Sequence, residues 1–132
     1  MLDKPCGQDN TRDWFLRGEH HLRSAKLLLG LGGPTETIAV LVQQASEMYL
    51  KGYLLGRGWR LRRTHDLEVL VSEAARHDVA FEQFLDFARL ASAYYVEDRY
   101  SPGPPTAYPA DEMANAIDRA EHLIELILRA TG

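Results

Sequence analysis

Residues 35–55 read TETIAVLVQQASEMYLKGYLL. Ile38, Leu41, Val42, Ala45, Met48, Tyr49 and Leu55 recur there at steps of three and four. That spacing puts side chains on one face of an α-helix. Gly56 and Gly58 end the pattern. A helix of this span is roughly 30 Å long at the α-helical rise. An apolar stripe of that length is stable in water only when covered, and other long helices laid beside it cover it best.

The flanking segments supply those helices. Trp14, Phe15, Leu22, Ala25, Leu28 and Leu29 keep helical spacing from about Thr11 to Leu29, and Gly30, Gly32 and Gly33 follow as a stop. Pro34 suits the first turn of the next helix. After residue 63, Thr64-His65-Asp66 reads as a helix start with Asp66 as its cap, followed by the short stripe Leu67, Leu70, Val71 and Ala74. A fourth helix is predicted over Phe81–Val96, with Phe84, Leu85, Ala88, Ala91 and Tyr95 inward. Four of the six prolines then fall between Pro102 and Pro109, which makes that stretch a loop. The last helix opens at Ala110 with Asp111 and Glu112 at its positive end and buries Met113, Ala116, Ile117, Ala120, Leu123, Ile124 and Ile127. No segment alternates like a strand. The reading is an all-α, up-and-down bundle of about five helices, most of them long and one short. Residues 1–10, polar with Pro5 and Gly7, are read as a flexible tail, and residues 11–132 as a single domain.

Composition narrows the function classes. The chain has 132 residues, enough for one ordinary domain that folds without a metal or disulfide. Its one cysteine, Cys6, has no partner for a disulfide or a zinc site. No apolar run approaches the roughly 18 residues of a membrane span, and the first residues lack a signal peptide's apolar core. The expectation is a cytoplasmic protein that does not enter a membrane. A net charge of -4 does not suit a general nucleic-acid binder, so RNA or nucleotide contact requires a local patch. The run GLGG at residues 30–33 has no Lys-Ser/Thr after it and follows no strand, so it is no phosphate loop. His20, His21 and His122 lack ligand spacing. Neither a metal nor a cofactor is expected.

The polar groups with chemical potential lie in three places. Arg60, Arg62 and Arg63, with Trp59 beside them, concentrate positive charge in an acidic chain. They are either a phosphate-and-base patch or a solvated connector. His65-Asp66 pairs an imidazole with a carboxylate, for acid–base work or as a capped helix start. Tyr94, Tyr95, Glu97, Asp98, Arg99 and Tyr100 end the fourth helix with a cation among rings, suited to a base and a phosphate, or to packing and local ion pairs.

These pieces occur together in a recognisable order. Gln43-Gln44-Ala45-Ser46-Glu47-Met48-Tyr49-Leu50-Lys51 resembles the Gln-Gln-Ala-x-Glu-x-x-x-Lys signature of the HEPN family. Thr64-His65-Asp66-Leu67 resembles its Thr-His-Asp-Leu, and Tyr95 with Arg99-Tyr100 its Tyr-x-x-x-Arg-Tyr. Trp14 and the Ala25/Leu27/Leu28 stripe fit its first helix.

The resemblance implies a helical bundle that forms a homodimer, often encoded beside a minimal nucleotidyltransferase in two-gene or toxin–antitoxin modules. Some members are proposed to bind nucleotides. A large subset are metal-independent ribonucleases that carry an Arg, a polar residue and a His shortly downstream. Here Arg99-Tyr100 is followed by Ser101-Pro102-Gly103-Pro104-Pro105, without a His. Arg60 and His65 have the separation but stand before the third helix, not after the fourth. The predicted function is therefore a non-catalytic nucleotide-binding module or nucleotidyltransferase partner. The alternatives are a ribonuclease toxin with a differently arranged site, or a purely structural dimer. The predicted nucleotide- or partner-binding site comprises Glu47, Lys51, His65, Asp66, Tyr95, Arg99 and Tyr100, with the ends of helices two and four brought together.

Overall fold

The structure, a computed structural model, describes residues 8–131, with side chains from residue 11 onward. Five α-helices follow in order: α1 (Gln8–Gly30), α2 (Thr35–Gly56), α3 (Leu67–Ala75), α4 (Leu85–Tyr100) and α5 (Ala110–Thr131), with a 3₁₀ helix over Val79–Phe84 leading into α4. There is no strand among the described residues. Helix α1 already starts at Gln8, inside the predicted tail, and residues 1–7 of that tail lie outside the described residues.

Helices α1 and α2 form an antiparallel hairpin. Gly32, at φ 70°, takes the left-handed conformation, and the Gly33 and Gly32 amides donate back to the carbonyls of Leu28 and Leu29. Two otherwise orphaned carbonyls are satisfied this way. Pro34 is the cap residue of α2 rather than its first turn, and its carbonyl accepts from the Ile38 amide. At the other end of α2, Gly58, at φ 87°, makes the same kind of stop, and the half-buried Trp59 folds back with its amide on the Leu54 carbonyl.

Helix α2 is the centre of the bundle and packs against each of the other four α-helices. Its core residues include Ile38, Val42, Leu50 and Leu54, all fully buried. The Tyr108 amide donates to Thr35 Oγ1, and the Arg57 guanidinium donates to the Ala130 carbonyl, so α5 runs parallel to α2. Glu97 and Asp98 share a cavity with Glu36 and Thr37, so α4 runs antiparallel to α2. Every inward position predicted for α3 and α5 is buried.

Two assignments differ from the sequence reading. In α4, Tyr94 and Phe87 are core residues, whereas Tyr95 is half-buried on the outside. The predicted fourth helix is really a 3₁₀ segment followed by an α-helix. Asp78 caps that segment by accepting from the Ala80 amide. The predicted positions Phe84, Ala88 and Ala91 are buried, and the difference arises in the next step: the buried face continues three residues on, at Tyr94, rather than four, at Tyr95, and both steps are compatible with one helix face. In α1, Leu27 is 59% exposed and does not belong to the buried stripe.

Candidate functional site

The polar site grows from the middle of α2. Gln43, Glu47 and Lys51 stand one helical turn apart on one face, and all three are buried, Glu47 to 2% exposure. Lys51 Nζ donates to Glu47 Oε2 at 2.8 Å, and Gln43 Nε2 donates to Glu47 Oε1 at 2.9 Å. The ammonium also lies 5.7 Å from the centre of the Trp14 ring on α1. Gln43 Oε1 has no hydrogen-bond partner among the described residues, a cost on the order of 1–3 kcal/mol.

The chain after α2 brings His65 to this triad. Residues 57–66 run back along α2 rather than staying at its C-terminal end, so the predicted meeting of helix ends is corrected. The end of α4 faces the middle and N-terminal part of α2. Gln43 Nε2 donates a second bond to the His65 carbonyl at 3.1 Å, and His65 Nδ1 lies 3.0 Å from Glu47 Oε1. The following turn is clamped as well: the Leu67 amide donates to Ser92 Oγ, and Asp66 caps α3 by accepting from the Glu68 amide. Asp66 is thus a cap, and the carboxylate that orients the imidazole is Glu47.

The ring of His65 stacks on Tyr95, centroids 4.5 Å apart and planes 22° apart. The Arg99 guanidinium lies over the same tyrosine at 5.0 Å. Lys51, Glu47, His65, Tyr95 and Arg99 therefore form one continuous chain from the core to the surface. The His65 side chain is half exposed, Arg99 is exposed, and Arg99 makes no ion pair among the described residues. A groove of about 550 Å³ opens beside them, lined by His65, Asp66, Arg89, Ser92, Tyr95 and Val96, among others. Tyr100 is 73% exposed and is not joined to this chain. Sequence reading misses Gln43 and Ser92. Gln43 stands inside the quoted Gln-Gln-Ala signature, and its four-residue step to Glu47 is the available signal.

Other polar groups are less organised. On α1, His21 is held below the usual imidazole range by burial and by neighbouring His20, while Glu47 acts in the opposite sense. Arg60, Arg62 and Arg63 are exposed and unpaired among the described residues. A second cavity, about 310 Å³, lies between α2, α4 and the proline loop, with Tyr94, Tyr108, Glu97 and Asp98 on its walls. Burial and a hydrogen bond to Glu112 push the Tyr94 hydroxyl well above the usual phenol range. Among the described residues, no group of His, Cys, Asp or Glu is arranged to hold a metal, and no helix is long and apolar enough to cross a membrane.

A five-helix bundle whose central helix carries a buried Gln-Glu-Lys ladder, tied to a Thr-His-Asp turn, defines a distinct structural class. The HEPN domain model matches residues 11–130, nearly the full length, and the chain belongs to the HEPN family. The crystal structure of TT1696 from Thermus thermophilus is similar, with a TM-score of 0.80 and 30% identity over 92% of this chain and 98% of that one. ST0689, an archaeal HEPN homologue, shares the fold with a TM-score of 0.77 and 22% identity, over 95% of this chain and 100% of that one. No curated protein sequence matches.

Proposed function

We propose that this HEPN domain is a non-catalytic binding module that takes a nucleotide at the His65–Tyr95–Arg99 end of the polar chain. It would act as a homodimer beside a minimal nucleotidyltransferase in a two-gene, toxin–antitoxin-like system. The carrying observation is the division of the chain by burial. Glu47 and Lys51 satisfy each other inside the bundle, whereas Arg99 stands over an aromatic ring at the surface without an acidic partner among the described residues. A guanidinium beside stacked rings suits a phosphate and a base. Substituting Arg99→Ala is expected to weaken nucleotide binding, measured by calorimetry, at least tenfold while moving the melting temperature by less than about 2 °C, because the side chain is exposed. A large drop in melting temperature, with no nucleotide bound by the wild type, would leave only a structural role.

RNA cleavage by a rearranged site is the second reading, and the Glu47-oriented His65 favours it. The sequence after Arg99 speaks against it. Single-stranded RNA is expected to stay intact with the purified protein in chelator, and specific cleavage lost in the Arg99→Ala variant would reverse that choice.

The proposed homodimer has a candidate contact in α4. Leu90, Val96 and Tyr100 are 46%, 54% and 73% exposed, and with Ala93 they fall within an arc of about 120° at 100° per residue. Light scattering at micromolar concentration is expected to give about twice the chain mass of 14.9 kDa. The Leu90→Glu variant should give the single mass. A monomeric wild type at high concentration removes this part of the proposal.

A further inference from the structure

The tautomer of His65 is set by its surroundings. Glu47 is an acceptor on both oxygens: Lys51 Nζ and Gln43 Nε2 donate to it, and the second bond from Gln43 Nε2, to the His65 carbonyl, fixes which end of that amide faces the carboxylate. A carboxylate in this position can only accept, so His65 Nδ1 carries the hydrogen. In the neutral ring Nε2 is then a lone pair, and it makes no hydrogen bond among the described residues. The contact of Nδ1 with Glu47 and the stack on Tyr95 hold the ring in this orientation.

A lone pair repels a phosphoryl oxygen. After protonation, the same nitrogen becomes a charge-assisted donor. The imidazolium would then lie between two anions, Glu47 on one side and the phosphoryl group on the other. We infer that the phosphoryl group of the ligand is received by His65 Nε2, with the Arg99 guanidinium on the adjoining Tyr95 ring adding to the positive field, and that the site takes up a proton when it takes up the anion. This rests on the nucleotide reading above and adds to it the residue and the charge state that select the ligand.

The charges around His65 leave room for this role. On α2 the ammonium of Lys51 is already committed to Glu47. At the start of α3, Asp66 is a cap and Glu68 is paired with Arg89 of α4. On α4, Arg99 lies over the Tyr95 ring, and on α1 His21 approaches Glu47. Arg62 and Arg63 of the preceding connector are exposed. Arg99 is therefore the cation on the stacked rings, and the imidazole is the neighbouring group with a free nitrogen able to take a proton.

Inorganic sulfate separates this proton linkage from titration of the ligand, because its charge is constant across the range in which an imidazole titrates. Sulfate affinity, followed by amide shifts in nuclear magnetic resonance at constant ionic strength, is expected to rise as pH falls. The rise should approach about tenfold per pH unit, the limit for uptake of one proton. The His65→Gln variant should lose that slope, and Arg99→Ala should weaken binding at every pH while retaining it. The His122→Gln variant, altering a surface imidazole next to Asp118, should behave as the wild type. Sulfate binding that is independent of pH, or a slope that survives in His65→Gln, overturns the inference and leaves the nucleotide reading standing. Failure to bind either sulfate or nucleotide at any pH overturns both.

Discussion

Replacing Glu47 with alanine is expected to lower the melting temperature by about 10–20 °C. Lys51 would then be left as an ammonium at 4% exposure, with Gln43 Nε2 and His65 Nδ1 each losing an acceptor. Abandoning one member of a buried ion pair costs on the order of 3–5 kcal/mol, and a chain of this size loses roughly 3–5 °C per kcal/mol. The paired change Glu47→Met with Lys51→Met tells why. If the cost is that of an uncompensated buried charge, the double variant should regain most of the lost stability, since apolar groups of similar volume replace such pairs at little cost. If the double variant melts as low as Glu47→Ala, the pair is instead required for the shape of the α1–α2 interface. A Glu47→Ala melt within about 2 °C of the wild type would show that the carboxylate carries no such burden.

The four-residue spacing of Glu47 and Lys51 is enough to pair them from sequence, because a helix fixes which side chains meet along it. Asp66 as a cap is readable for the same local reason. What joins His65 to Glu47 is not local. It depends on residues 57–66 running back along α2, and no periodicity encodes the path of an irregular segment. The sequence therefore suggests the neighbouring Asp66 as the partner of His65, and the fold supplies Glu47. Tyr95 illustrates a further limit. Counting by four from Ala91 places it inside the core, whereas a step of three, equally allowed by helical spacing, puts Tyr94 there and leaves Tyr95 outward. That difference matters for function: only an outward Tyr95 can stack on His65 and carry Arg99.

Gly52→Val is expected to cost about 3 kcal/mol, at the upper end of the usual penalty for overfilling a packed core. A Cβ at position 52 would stand 2.8 Å from Phe15 Cδ1 and 3.0 Å from Trp14 Cβ. The Trp14 Cβ is fixed to the backbone of α1 and cannot rotate away, so the two helices must separate. The Thr11 hydroxyl, which donates to the Gly52 carbonyl at 2.8 Å, marks how close they come. Gly18 faces α2 in the same way, with Tyr49 at 2.5 Å and the Ala45 carbonyl at 3.2 Å from its would-be Cβ. Opening this contact would also displace Trp14 from Lys51, so the damage should reach the polar site and weaken any ligand affinity along with stability. Gly30, the last residue of α1, is the control. Nothing lies within 4 Å of its would-be Cβ, so Gly30→Ala should be neutral or add up to about 1 kcal/mol through helix propensity. Urea melts of the two variants beside the wild type decide the matter. The close-packing account fails if Gly52→Val unfolds at the wild-type midpoint, or if Gly30→Ala is destabilised as much as Gly52→Val.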